Sequence, residues 1–291
     1  MGGKIMKYLK LLRVKHYIKN FLILLPLIFN KSITNIDKLI MTMVGFISFC
    51  LISSSIYIIN DINDVEKDRK HPVKKNRPIA NGSISITKAR VISIVLVILS
   101  LSIIIALNML YKFNIVSSLG YLILYFGLNI IYSLGLKDVP IVDISILASG
   151  FLIRVLFGGA ISNVIVSSWL YLTIISMSFY LGLGKRRNEL KKHKSSKTRA
   201  VLKFYNRDFL DNNMYIFSAV SLVFYSLWAQ SYNNQLLLWT IPIVMIIVMK
   251  YNLDIESSDS EGDPVNVLLH DKSIFILGII YMLIIFLALY L

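Results

Sequence analysis

Residues 60–82 read Asn60-Asp61-Ile62-Asn63-Asp64-Val65-Glu66-Lys67-Asp68-Arg69-Lys70-His71-Pro72-Val73-Lys74-Lys75-Asn76-Arg77-Pro78-Ile79-Ala80-Asn81-Gly82. An acidic run passes directly into a basic run, and a long apolar stretch precedes both. Closely spaced carboxylates and amides are oxygen ligands for a divalent cation. Closely spaced arginines and lysines bind phosphate. At the end of an apolar segment, the pair points to metal-assisted chemistry on a phosphorylated substrate at a bilayer surface.

The rest of the chain supports the membrane reading. The 291 residues are 56% hydrophobic, with a mean hydropathy of +0.68. The apolar residues run continuously through 91–107, 121–134, 169–183, 236–249 and 274–291, at lengths near those of membrane helices. Nine segments are predicted, near 17–32, 37–59, 89–109, 115–134, 141–161, 167–184, 210–231, 235–250 and 273–291. The first is short and contains Pro26, so a kink or an incomplete span is expected there. No small-residue cleavage site follows the apolar stretch 21–29, which reads as a membrane helix and not as a signal peptide. The whole chain, 1–291, reads as one polytopic domain. Loops 61–88, 185–208 and 251–272 form its polar cap.

The net charge of +15 does not point to nucleic acid, because the bases cluster between membrane segments. With the N-terminus in the cytoplasm, 27 of the 31 Lys and Arg residues fall on the cytoplasmic side. This excess predicts a multi-pass protein of the cell membrane, N-terminus inside and C-terminus outside. The lone Cys50 lies in an apolar run and is expected to be a small core residue.

Within the opening stretch, Asn60, Asp64 and Asp68 recur every four residues, and a helix would carry them on one face. Asp61 joins them from the side. Such a set suits Mg2+, which takes a few carboxylates, water and substrate phosphate. Pro72 and Pro78 fix the path of the basic run, where Lys74 and Arg77 are the leading phosphate ligands and Arg69 accompanies them. His71 is either a phosphate donor or a loop residue. Tyr57 lies one turn before Asp61. Arg154 stands in an apolar segment, where a charge is costly. It is either a cavity-facing cation or the salt-bridge partner of Asp143. Gly158 and Gly159 follow one turn later and permit close helix packing.

These motifs resemble the first signature of the UbiA superfamily of intramembrane prenyltransferases: Asn60-Asp61-x-x-Asp64-x-x-x-Asp68, then Arg69-x-His71-Pro72-x-Lys74-x-x-Arg77-Pro78-Ile79-Ala80-x-Gly82. The resemblance implies an all-α integral membrane protein, a UbiA-like bundle of about nine transmembrane helices. One branch, the decaprenyl-phosphate phosphoribosyltransferases, is similar at several further places. They are Leu12-Arg13-Val14-Lys15-His16-Tyr17-Ile18-Lys19-Asn20, Tyr132-Ser133-x-x-Leu136-Lys137, Gly150-Phe151-x-x-Arg154, Gly184-Lys185-Arg186-Arg187-x-Glu189-Leu190, Gly262-Asp263-Pro264 and Leu269-His270-Asp271.

Prenyltransferases of the superfamily usually carry a second aspartate-rich motif between segments six and seven. Here that loop begins Lys185-Arg186-Arg187-Asn188-Glu189-Leu190-Lys191-Lys192, with Glu189 its only acid before Asp208. One acidic cluster with extra cations fits two phosphorylated substrates, phosphoribosyl pyrophosphate with Mg2+ and a polyprenyl phosphate. The resemblance then implies transfer of 5-phosphoribose to the lipid for a cell-envelope glycan precursor. Asn60, Asp61, Asp64 and Asp68 would hold the metal. Lys19, Asn20, Lys137, Arg154, Lys185, Arg186, Arg187 and Glu189 would join the substrate ligands. A homo-oligomer is compatible with this reading. The rival readings are a prenyltransferase acting on an aromatic or other acceptor and a carrier of anionic lipid. No internal repeat favours the carrier.

Overall fold

The computed structural model describes residues 2–192, 200–256, 267 and 271–291. Among them the chain is helical, with no strand. The helices are α1 (Gly2–Leu12), α2 (Leu25–Phe29), α3 (Ile36–Asn63), α4 (Val65–Lys70), α5 (Ile86–Tyr111), α6 (Ile115–Leu134), α7 (Val142–Ile161), α8 (Ser168–Lys192), α9 (Arg207–Ser231), α10 (Gln235–Glu256) and α11 (Lys272–Tyr290). Short polar side chains start several of them. Asn35, Ser85, Asn114, Asn206 and Asp271 each accept a hydrogen bond from the backbone N–H three residues on, satisfying donors that a helix leaves open.

Six helices are long and apolar enough to cross a membrane: α3, α5, α6, α7, α10 and α11. Helices α8 and α9 have 25 residues each, but Ser, Tyr and Asn dilute their apolar content. The chain is a multi-pass membrane protein, and nine is an approximate count of its segments. The first predicted segment is the exception in kind. It is a 3-10 helix over Val14–Leu24, 11 residues long, followed by the five-residue α2 with Pro26 in its first turn.

A 3-10 helix turns every three residues, so positions three apart share a face. Tyr17, Asn20 and Ile23 form such a row. The Tyr17 hydroxyl meets Ser54 Oγ at 2.8 Å. Asn20 Nδ2 donates to Cys50 Sγ at 3.2 Å. Ile23 is fully buried. Its backbone runs so close to Gly158 that a Cβ there would lie 2.0 Å from the Ile23 carbonyl oxygen. Gly158→Ala is therefore expected to lower stability in detergent by about 1–3 kcal/mol. Gly127→Ala in α6, with nothing within 4 Å of the added carbon, is the control, and equal melting temperatures would refute the close approach.

The chain divides into two compact units, Met1–Gly135 with Ile153–Ile165, and Leu136–Leu152 with Val166–Leu291. In the first, α3 and α5 are joined by reciprocal serine bonds. Ser48 meets Ser100 at 2.9 Å, and Ser55 meets Ser93 at 2.8 Å. Small hydroxylated residues allow close packing where lipid offers no hydrophobic drive. A separate apolar cluster of Leu11, Ile58, Val65, Ile79, Ile84, Ala89 and Leu96 lies beneath the 60–82 stretch and fixes its ends.

In the second unit, Ile144, Tyr180, Leu183, Leu210, Met214, Val248, Tyr251 and Ile274 are part of one core. Lys250 of α10 bridges to Asp271, the cap of α11, at 3.0 Å. Burial would raise the Asp271 carboxyl, but the Ile274 N–H and Lys250 outweigh it and hold the group below the usual carboxylate range.

Two predicted loops are partly helical. Helix α8 continues through residues 185–192, so Lys185, Arg186, Arg187 and Glu189 stand on a helix and not in a loop. The cause is local pairing: Arg186 and Glu189 are i,i+3 partners, and pairs at that spacing support a helix. Likewise α10 extends to Glu256. Gly262-Asp263-Pro264 and Leu269-His270 lie outside the described residues.

Candidate active site

The acid run does not sit on one continuous helix. Helix α3 ends at Asn63, Asp64 takes a non-helical conformation at the junction, and α4 starts at Val65. Asn and Asp compete locally with helical backbone bonding, and two of them adjoin here. Both Asp61 and Asp68 are nonetheless buried, while Asp64 is half-buried at the break.

Two arginines meet these carboxylates. Arg77 Nη1 donates to Asp61 Oδ1 at 3.0 Å and to Asp68 Oδ2 at 2.6 Å. Arg13 donates to the same Asp61 Oδ1. Arg77 lies on extended backbone ahead of Pro78, as the residue before a proline prefers. Arg13 has φ 52, a left-handed conformation uncommon for a residue with a side chain. Its guanidinium lies 4.7 Å from the centre of the Tyr57 ring, and the His16 ring lies 5.4 Å from that same ring. Asn60 accepts a hydrogen bond from Ser133 of α6.

The donor set fits a hard divalent cation. Carboxylate oxygens from α3 and α4 converge on one positively charged atom, Arg77 Nη1, and so define a point that attracts a cation. Among the described residues no group of three or more His, Cys, Asp or Glu side chains is arranged to hold a metal. The three predicted aspartates, Asp61, Asp64 and Asp68, are therefore not brought together as one set, and Asp61 and Asp68 are the pair that shares Arg77.

Other predicted ligands of this unit make local contacts. Arg69 donates to Glu66 at 2.8 Å and to the Ala80 carbonyl at 3.3 Å, bracing the loop. His71 Nδ1 accepts from the Val73 and Lys74 N–H groups at 3.2 Å, which makes it an acceptor within its own turn. Lys74 is exposed on the short 3-10 turn that follows, and Lys19 is half-buried.

Asn20 and Arg154 form a cluster of their own. Arg154 Nε donates to Asn20 Oδ1 at 2.8 Å, and Nη2 donates to the Tyr125 hydroxyl at 2.7 Å. The Phe49 and Tyr125 rings flank the guanidinium at 5.2 and 4.7 Å. Arg154 is thus a buried pin between the 3-10 helix, α6 and α7, and Asp143 is not the partner it uses.

The second unit holds the remaining candidates. Asp143 is fully buried. It accepts from Arg186 Nε at 2.5 Å and from the Tyr205 hydroxyl at 2.6 Å. Arg186 is also without exposed surface and reaches Glu189 at 2.9 Å. Burial and the bond to Asp143 push the Tyr205 phenol up to about 12. Arg187 pairs with Asp211 and with Glu256, the latter at 2.5 Å. Arg207 meets the same two acids at 3.3 and 2.9 Å. Lys137 and Lys185 are half-buried. Arg186 and Arg187 therefore fasten helices together.

Sequence reasoning missed Arg13, His16 and Ser133 as members of the first cluster. The signal was present, since all three lie within the quoted motifs at 12–20 and 132–137.

Comparison with known proteins agrees with this architecture. Residues 24–270 match the UbiA prenyltransferase family. A protein named decaprenyl-phosphate phosphoribosyltransferase from Corynebacterium glutamicum is 30% identical over 97% of this chain and 86% of its own length. One of the same name from Mycolicibacterium smegmatis is 32% identical over 92% of this chain and 88% of its own. Among solved structures, a UbiA homolog from Archaeoglobus fulgidus bound to GPP and Mg2+ superposes with a TM-score of 0.72 at 18% identity. That match covers 98% of this chain and all of the homolog. With the matched region, the full-length relatives and the fold in agreement, the chain belongs to the UbiA prenyltransferase family of membrane transferases.

Proposed function

We propose that the chain transfers 5-phosphoribose from phosphoribosyl pyrophosphate to a polyprenyl phosphate, with Mg2+, at the cytoplasmic membrane face. The observation that carries this reading is the state of Glu189. It is the only acid of residues 185–192, and it is engaged with Arg186. A prenyl diphosphate gripped by two metal clusters needs a second set of available carboxylates, and this stretch supplies arginines. The names of the full-length relatives agree with a ribosyl donor. The 27 of 31 basic residues on one side support the cytoplasmic assignment.

Asn60, Asp61, Asp64 and Asp68 would hold the metal, which when bound supplies charge neutralisation for the leaving pyrophosphate. Arg77 and Lys74 bind phosphate oxygens of the leaving group and stabilise the charge that develops there. The acceptor phosphate oxygen attacks the anomeric carbon as the bond to pyrophosphate breaks. That nucleophile is already anionic, so the reaction needs no strong general base. The acceptor's prenyl chain remains in the bilayer.

Full-length protein in detergent, given labelled phosphoribosyl pyrophosphate and polyprenyl phosphate, is expected to form a lipid-extractable labelled product that requires Mg2+. The rival, prenyl transfer from a prenyl diphosphate, draws on the fold shared with the GPP-bound homolog. Product from prenyl diphosphate and an aromatic acceptor, with none from the ribosyl donor, would reverse the assignment.

A further inference from the structure

We propose that Arg13 and Arg77 are diphosphate-binding residues that stand in for the divalent cation on Asp61 and Asp68 until metal and diphosphate arrive together. The inference rests on the metal–diphosphate part of the reading above and is independent of whether the donor carries ribose or prenyl.

The two pairs differ in exposure. The Asp61 and Asp68 side chains are 2% and 4% exposed, while those of Arg13 and Arg77 are 20% and 27% exposed. The arginines are thus the more accessible members of the cluster. The two arginines offset the charge of Asp61 and Asp68, as buried carboxylates require.

A divalent cation arriving alone must displace guanidinium groups that then have no anion to face. A cation arriving with a diphosphate brings that anion, and the guanidinium fork matches phosphate oxygens as well as it matches carboxylates. The backbone permits the exchange. Arg13 sits at the junction of α1 and the 3-10 helix, and Arg77 on an extended stretch after the short 3-10 turn. Each can re-aim without unwinding a helix. Metal and diphosphate should therefore bind interdependently, each weakly without the other.

The test uses full-length protein in detergent, with Mn2+ followed by its magnetic resonance signal and inorganic pyrophosphate as the diphosphate probe. Wild type is expected to bind Mn2+ about tenfold more tightly with pyrophosphate than without, a coupling of ordinary size. Arg13→Gln and Arg77→Gln are expected to bind Mn2+ alone more tightly than wild type and to lose most of the pyrophosphate effect. Arg13→Lys and Arg77→Lys keep the charge and guard against loss of folding. They should keep weak Mn2+ binding, with a reduced pyrophosphate effect. Tight Mn2+ binding by wild type without pyrophosphate, or glutamine variants with wild-type affinities, would overturn the proposal and leave the metal site standing. No Mn2+ binding by any form would remove the metal reading as well.

Discussion

Asp68→Asn and Asp61→Asn are each expected to lower turnover by about 10²–10³-fold, the usual cost of deleting one preorganised charge contact to a reacting group. The protein should remain folded, because the arginines freed by either change retain access to solvent, with 20–27% of their side chains exposed. The measurement is label transfer at saturating substrate, with melting temperature recorded alongside. Near-normal rates for both variants would remove the metal assignment. A collapse of melting temperature with lost turnover would instead mark the pair as structural.

Arg186→Ala is expected to have the largest effect on stability, about 3–5 kcal/mol. Its loss strands the Asp143 carboxylate, fully buried, with the Tyr205 hydroxyl as its remaining side-chain donor. Arg186→Lys should recover little of this, because a point charge does not reproduce a fork that reaches Asp143 and Glu189 together. The double change Arg186→Met with Asp143→Leu removes both charges and should recover most of the loss. Thermal unfolding of wild type, Arg186→Met, Asp143→Leu and the double variant gives the coupling energy directly. An Arg186→Ala protein as stable as wild type would show that the pair contributes nothing.

How much of this was legible in the sequence depended on the range of each interaction. The membrane segments follow from runs of apolar residues and were readable. The adjacency of the acidic and basic runs was readable too, but the direct pairing of Arg77 with Asp61 and Asp68 was not, since the arginine reads as a phosphate ligand. Arg13 was not legible either, because its carboxylate is 48 residues away on another helix, and no local pattern encodes that distance. The same holds for Ser133 and Asn60, 73 apart. Of the two readings of Arg154, the salt bridge to Asp143 fails for a reason within reach. On any α-helix an offset of eleven residues corresponds to about 16 Å of rise, too far for Asp143 to serve. The real acceptor, Asn20, is a neutral amide 134 residues away, and charge matching does not find it. Arg186 reads as a phosphate ligand because burial is invisible in a run of cations. Only the fold reveals that, besides the neighbouring Glu189, the distant acids Asp143, Asp211 and Glu256 meet Arg186 and Arg187.

The 3-10 stretch over Val14–Leu24 also sets the length of the opening segment. Its 11 residues advance about 2.0 Å each, against about 1.5 Å in an α-helix. With the five residues of α2 the summed rise is about 30 Å. The chain thus gains length by stretching its coil, and the narrower cylinder that results brings its main chain close enough to touch Gly158. A mutation that relaxed this stretch to ordinary α-helix would shorten it by about 5 Å. It would draw Arg13 away from Asp61, so the winding of the first segment acts as a ruler for the charge cluster at its end.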